Sequence, residues 1–171
     1  MDNIFLALGS NVGDRGANLQ KALLDLEKWG VRVLNTSSIY ETAPMLLDAT
    51  KPDQPDFYNM IVRVKTEKSP QDLLTILLAI ERSEGRIRKQ KWEARVLDLD
   101  IVFFGDLIVR DGHDADGAEL IIPHQHAHER KFVLVPLAEI APEFIHPVLQ
   151  KNVAQLLKEC RDEGRVTLLS S

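Results

Sequence analysis

Two stretches of helical period, each enclosed by strand-like runs, restrict this chain more than any other feature. Leu19, Ala22, Leu23, Leu26 and Trp29 recur at helical spacing across residues 18–29, as on an amphipathic helix with one apolar face. Gly30 is placed to end that helix. Leu73, Leu74, Leu77 and Ile80 repeat the pattern behind Ser69 as N-cap, Pro70 at the first helical position and Asp72 in the first turn, with Gly85 just past the end. Ile4–Leu8 is an apolar run closed by Gly9-Ser10-Asn11, a strand entering a turn. Residues 31–40 carry β-branched side chains in partial alternation, and 57–65 alternate through Tyr58, Met60, Val62 and Val64. The proline-containing loop 42–56 separates these two strands. A further strand covers 97–104. The order is βαββαβ, which predicts an α+β fold with a ferredoxin-like core, a largely antiparallel sheet with helices packed on it. Beyond it, Leu107–Val109 and Leu120–Ile122 read as short strands, and "VLVPLAEIAPEF" and "NVAQLLKEC" as short helical pieces. With no repeat or linker, residues 1–171 read as one domain.

The last strand of that core holds an anomaly. In "ARVLDLDIVFFG" (94–105), Asp98 and Asp100 interrupt an otherwise apolar run. Strand side chains alternate, so the two carboxylates share a face while Leu97, Leu99 and Ile101 point to the core. At a rise of ~3.3 Å per residue their Cα atoms lie roughly 6–7 Å apart, and two carboxylates so close repel unless something positive intervenes. Hard oxygen donors suit Mg²⁺, which favours one or two carboxylates plus substrate phosphates. The plainer interpretation is a half-exposed strand with two solvated aspartates. Arg86, Arg88, Lys89, Lys91 and Arg95 crowd into the ten positions just before. An acid pair beside arginines is the composition of a metal-phosphate site, although the arginines could equally be ion-pair partners of the aspartates.

The overall balance is acidic, with 21 basic and 26 acidic residues and a net charge of −5. That argues against a nucleic-acid binder, whose footprint would be basic. A cationic loop on an acidic protein instead suits a small anionic ligand. Cys160 is the only cysteine, so no internal disulfide forms, which fits a reducing compartment. No run approaches the roughly 20 apolar residues that span a bilayer, and "MDNIFLALGSN" lacks a basic n-region. The expectation is a cytoplasmic monomer without membrane or nucleic-acid partners. "HQHAH" would place His124, His126 and His128 on one face if it were a strand, but no fourth zinc ligand lies nearby.

"WEARVLDLDIVFFG" resembles the signature of the 6-hydroxymethyl-7,8-dihydropterin pyrophosphokinase family: an arginine, two residues, Asp-hydrophobic-Asp and two aliphatics, here Arg95, Asp98, Leu99, Asp100, Ile101 and Val102. "ALGSN" (7–11), "SSIYETAP" (37–44), "QPDFYN" (54–59), "IERSEGRIRK" (80–89), "IPH" (122–124) and "PLAEIAPE" (136–143) agree in order. The resemblance implies transfer of the β,γ-diphosphoryl group of ATP to the hydroxymethyl of the reduced pterin, releasing AMP in folate biosynthesis. It implies two Mg²⁺ ions bridged by Asp98 and Asp100, with Arg86 and Arg95 aiding transfer. It places Thr42, Ala43, Pro44 and Met45 along the pterin, Phe57 and Phe132 on its two faces, and Asn59 at its hydrogen-bonding edge. Aromatic stacking and an amide's paired donor and acceptor suit that heterocycle.

The same resemblance assigns Glu81, Arg88, Trp92, Ile101, His124 and Arg130 to the nucleotide, with Arg86–Arg95 as a loop that closes over it on Gly85. Ala43, Leu78, Glu119, Ile121 and Gln125 depart from residue types common in the family, four of them beside the nucleotide. Two rival functions stand beside this one. The first is a non-catalytic ferredoxin-like regulator binding nucleotide or metal. The second is a γ-phosphoryl kinase releasing ADP, for which the chain has no Gly-rich P-loop.

Overall fold

The computed structural model describes residues 3–44, 54–84 and 94–169. In chain order the elements are β1 (Ile4–Ser10), α1 (Arg15–Lys28), β2 (Arg32–Thr36), β3 (Tyr40–Thr42), β4 (Phe57–Lys65), α2 (Pro70–Ser83), β5 (Asp98–Phe104), β6 (Val109–His113), β7 (Glu119–Ile122), a 3₁₀ turn (Ala127–Glu129), α3 (Lys131–Ile140), α4 (Val153–Glu159) and β8 (Val166–Leu168). The main sheet runs β5-β1-β4-β3-β8, with β2 also on β4, and every pairing is antiparallel. The fourth core strand thus lies beside the first, and the first beside the third, which is the ferredoxin-like order predicted from βαββαβ.

β1 is central because it is apolar on both faces. Ile4, Leu6 and Leu8 join Leu19, Leu26, Leu73, Leu77, Leu99 and Ile101 in the core under α1 and α2. Phe5 looks the other way and packs with Ile61, Val102, Phe103, Val133, Leu137 and Val153 beneath α3 and α4. Phe5, Phe103 and Phe144 form an aromatic cluster within that second core, the Phe103–Phe144 centroids 4.8 Å apart. At ~25 cal/mol per Å², burial on both faces makes β1 costly to disturb.

The helix starts follow local chemistry. Ser69 accepts from the Asp72 amide and Pro70 opens α2 as predicted. α1 begins earlier than its apolar period, because Asp14 caps it by accepting from the Ala17 amide at 3.0 Å. The strand predicted over 31–40 is two strands. At the break the Ser37 hydroxyl accepts the Ile61 amide (2.9 Å), while Ser37 N–H donates to Ile61 O (2.8 Å). A side chain replaces a ladder carbonyl there, so the backbone leaves the strand and resumes at Tyr40. The hairpin β6/β7 is separate from the main sheet and begins later than the predicted 107–109. β8 carries no sequence signal of its own; it exists by pairing with β3, Thr167 opposite Glu41.

In β5 the register slips between Phe5 and Leu6 of β1: Ala7 faces Asp100 and Leu6 faces Ile101, but Phe5 faces Phe103. Val102 is the extra residue of a β-bulge. The bulge sends Val102 and Phe103 to the same core, and it leaves Asp98 and Asp100 on that same side, beyond the cover of α3. No described helix is long and apolar enough to cross a membrane.

Candidate active site

The uncovered part of the second sheet face forms a cavity of about 380 Å³ lined by Ala7, Gly9, Thr42, Ala43, Pro44, Phe57, Asn59, Arg95, Asp98, Asp100, His124, Arg130 and Phe132, among others. Its floor is a register row. Tyr40 pairs with Asn59, Asn59 with Gly9, and Gly9 with Asp98. The aspartates therefore face an open cleft lined by the recess residues, half-buried on the strand face opposite Leu99.

At one end of the row Asn59 Nδ2 donates to Thr42 Oγ1 at 2.7 Å. That contact turns the Asn59 carboxamide along the floor. Gly9 makes room for it, since a Cβ at that position would lie 2.7 Å from Asn59 Oδ1 and 3.6 Å from Phe57. Phe57, Ala43 and Pro44 border this end on the sheet side, and Phe132 borders it from the first turn of α3.

At the other end the Arg95 guanidinium pairs with Asp98 Oδ1. Arg130 lies within electrostatic reach of both aspartates. Burial works against its charge and lowers its pKa, while Asp100 and Asp98 favour the charge. Its Nε is buried without a hydrogen-bond partner among the described residues, and its guanidinium carbon sits 5.9 Å from the Phe132 ring centroid. An unsatisfied buried donor of this kind is costly unless a ligand supplies an acceptor.

His124 is pushed down to about 4, chiefly by burial, then by Arg130 and His126, with Asp98 opposing. The His126 amide donates to its Nδ1 (3.3 Å), which leaves Nε2 as the N–H donor. The His124 amide is itself fastened to Val102 O at the bulge, 3.0 Å away. A group whose folded pKa is depressed from 6.5 to about 4 is protonated first in the unfolded chain. Folding stability should therefore hold above pH ~6.5 and fall as the pH drops towards 4, by up to about 3 kcal/mol. Urea titrations at several pH values should show that slope flattened in His124→Gln.

The sequence marks Asn11 only as a turn residue, yet it anchors the site. It is 1% exposed. Its Oδ1 accepts the Arg95 amide at 2.6 Å, its amide donates to Arg95 O at 3.0 Å, and its Nδ2 donates to Pro55 O at 3.2 Å. One side chain thus ties the end of β1 to the arginine and to the segment entering β4. Gly9 and Asn11 both lie in "ALGSN"; the strand predicted to end at Leu8 runs on to Ser10, so Gly9 is a paired strand residue and not part of a turn, and Asn11 follows it as an anchor.

The structure separates two assigned residues from the cavity. Glu81 is buried on the helix side, accepting the Leu99 amide at 2.7 Å between the two aspartates. Ile101 packs in the core under α1 and α2. Neither lines the pocket. Met45, Gly85, Arg86, Arg88 and Trp92 lie outside the described residues. Of the histidines of "HQHAH" only His128 lies in the 3₁₀ turn, which His126 precedes as its N-cap, and none is in a strand; the described residues contain no cluster of three metal-binding side chains.

Residues 5–142 match the family model described as 7,8-dihydro-6-hydroxymethylpterin-pyrophosphokinase. The chain belongs to this family. The pyrophosphokinase match is supported by relatives named 2-amino-4-hydroxy-6-hydroxymethyldihydropteridine pyrophosphokinase. The one from Synechocystis is 42% identical over 90% of this chain and 74% of its own length. That from Haemophilus influenzae is 36% identical over 98% of this chain and 99% of its own. The folic acid synthesis protein fol1 of Schizosaccharomyces pombe is 37% identical over 98% of this chain, which spans only 21% of that protein. The Plasmodium falciparum HPPK-DHPS crystal structure with pteroate superimposes with a TM-score of 0.71 at 20% identity, covering 91% of this chain and 42% of the longer one. At that identity the likeness establishes the fold.

Proposed function

We propose that this pocket transfers the β,γ-diphosphoryl group of ATP to the hydroxymethyl of 6-hydroxymethyl-7,8-dihydropterin, giving the pterin diphosphate and AMP, with residues 1–171 acting as one domain. The register row Asn59–Gly9–Asp98 carries the reading. It sets an amide-lined, aromatic-walled recess two strand spacings, about 10 Å, from a carboxylate pair, on one continuous floor. A flat heterocycle held at Asn59 and Thr42 between Phe57 and Phe132 would direct its substituent towards the aspartates.

The donor set fits magnesium: two hard carboxylates on one strand face, with cationic and neutral N–H groups opposite. Asp98 and Asp100 would hold two ions with the nucleotide, and magnesium there supplies shielding of the phosphate charge. Arg130, through its unpaired Nε, and His124, through Nε2–H, are placed to donate to phosphoryl oxygens. The hydroxymethyl oxygen would form its bond to the β-phosphorus as the bond from that phosphorus to the AMP oxygen breaks, with the hydroxyl proton passing to solvent. Positioning and fixed charge account for the rate. The resemblance alone supports Arg86, Arg88 and Trp92 as closing over the nucleotide, and Met45 as part of the pterin wall.

Incubation with ATP, Mg²⁺ and the pterin should release AMP in equal amount with pterin diphosphate, read by chromatography. ADP would indicate a γ-phosphoryl kinase instead, and nucleotide binding without turnover would indicate a regulator. Gly9→Ala should drive the Asn59 carboxamide off Thr42 and weaken pterin binding about tenfold. Nucleotide affinity should be unchanged, and fluorescence titration of each ligand separates the two.

A further inference from the structure

The segment after α4 touches the Phe132, Phe57 and Thr42–Pro44 sides of the recess, mostly at a recess residue or its immediate chain neighbour. Asp162 Oδ2 accepts the Lys131 amide at 2.9 Å, capping α3 one residue before Phe132. Arg165 O accepts the Ala43 amide at 3.2 Å, and Val166 pairs with Thr42. The Arg165 guanidinium pairs with the Asp56 carboxylate, one residue before Phe57. Thr167 and Leu168 continue the ladder along Glu41 and Tyr40. We propose that Asp162–Leu168 is a positioning element for the pterin recess, a strap that fixes the spacing of Phe132, Phe57 and the Thr42–Pro44 wall without touching the ligand. The proposal rests on the assignment of the recess to the pterin. The strap lies beyond residue 142, where the family match ends.

The forces behind the strap are unequal. The Arg165–Asp56 pair is largely exposed and contributes little by itself. The ladder and the cap carry more. β3 has only three residues, and without β8 it would be an edge strand. Asp162 supplies an anion and an acceptor to the first turn of α3, where the amide would otherwise be unpaired. Loosening either contact shifts one wall relative to the other. The nucleotide end is built on β5, which pairs with β1, and on the His124 turn, which is fastened to Val102. Only Arg130, the residue before Lys131 and within electrostatic reach of Asp162, is shared with the strap, so the β8 half of the strap should leave nucleotide binding unchanged and the Asp162 half should affect it less than pterin binding.

The test uses Thr167→Pro, which removes a ladder donor opposite Glu41, and Asp162→Ala, with Asp162→Asn as the conservative control. Pterin binding is titrated by fluorescence at saturating magnesium and nonhydrolysable nucleotide, and nucleotide binding is titrated alone. Both disruptive variants should bind pterin about tenfold more weakly, with nucleotide affinity unchanged in Thr167→Pro, a distinctly smaller loss of nucleotide than of pterin affinity in Asp162→Ala, and pterin binding by Asp162→Asn close to wild type. Amide exchange should quicken at Ala43 in Thr167→Pro and at Lys131 in Asp162→Ala, with β1 amides still protected. Unchanged pterin affinity, or equal losses for both ligands, would overturn the proposal. A wild-type chain that binds no pterin would remove the assignment of the recess, and the amide exchange would still decide whether the strap holds its walls.

Discussion

Alanine at Asp98 or at Asp100 is expected to abolish measurable turnover, lowering kcat by about 10³-fold or more, while the protein stays folded. The separation of the two effects comes from strand alternation. Leu97, Leu99 and Ile101 carry the burial of this segment into the core under α1 and α2, whereas the carboxylates project into the cavity. Removing them deletes no core volume, so the melting temperature should move little. Chemistry should suffer because one of the two carboxylates proposed to hold magnesium against the phosphates is then missing, and the charge balance with Arg95 and Arg130 is disturbed. The variants should lose the magnesium dependence of nucleotide binding yet still bind metal-free ATP through those arginines. The measurements are kcat, the dissociation constant of ATP with and without Mg²⁺, and the melting temperature. Near-wild-type turnover in either variant would refute the metal-holding role.

The parts of this site legible in the sequence are those governed by short-range rules. Alternation alone places Asp98 and Asp100 on one side of β5 and the leucines on the other. The Ser69-Pro70 start of α2 needs only local capping chemistry. Sequence and structure part wherever a distant partner decides. Ser37 ends β2 because its hydroxyl meets Ile61 across the sheet, and nothing in residues 31–40 announces that partner. The bulge at Val102 depends on register with β1, so periodicity in β5 cannot show that Val102 and Phe103 share a face. Glu81 looks like any helical carboxylate until the Leu99 amide is seen against it. β8 is three residues of ordinary composition, held in the sheet by its pairing with β3. Gly9 is visible as a turn glycine, but its purpose is absence of a Cβ next to Asn59, which is a fact of three-dimensional approach. The pterin comes from the family resemblance, since no strand or helix rule has a signal for it.

Arg95→Ala is expected to lower kcat by about 10²–10³-fold with a much smaller change in nucleotide affinity. Without ligand, Arg95 is engaged with Asp98 Oδ1, so it serves as that carboxylate's counter-ion in the resting pocket. A divalent cation held at Asp98, as proposed above, would compete for the same oxygen. On that reading nucleotide and metal binding would release Arg95 and make the guanidinium available to the phosphoryl oxygens. In Arg95→Ala the cost of breaking that ion pair disappears, which offsets the missing guanidinium–phosphate interaction in the bound state. Ground-state affinity is thereby held nearly constant, while charge developing in transfer goes unstabilised. The backbone should not follow the side chain, because Asn11 grips the amide and carbonyl of residue 95 rather than its guanidinium. Asn11→Ala thus provides the contrast: it keeps the Arg95 side chain and the bond from its own backbone amide to Arg95 O, but releases the Arg95 amide and Pro55 O, and should raise KM and lower kcat together. Steady-state kinetics with both substrates varied distinguish the two. Equal losses of kcat and nucleotide affinity in Arg95→Ala would show that the arginine acts in binding and not in transfer.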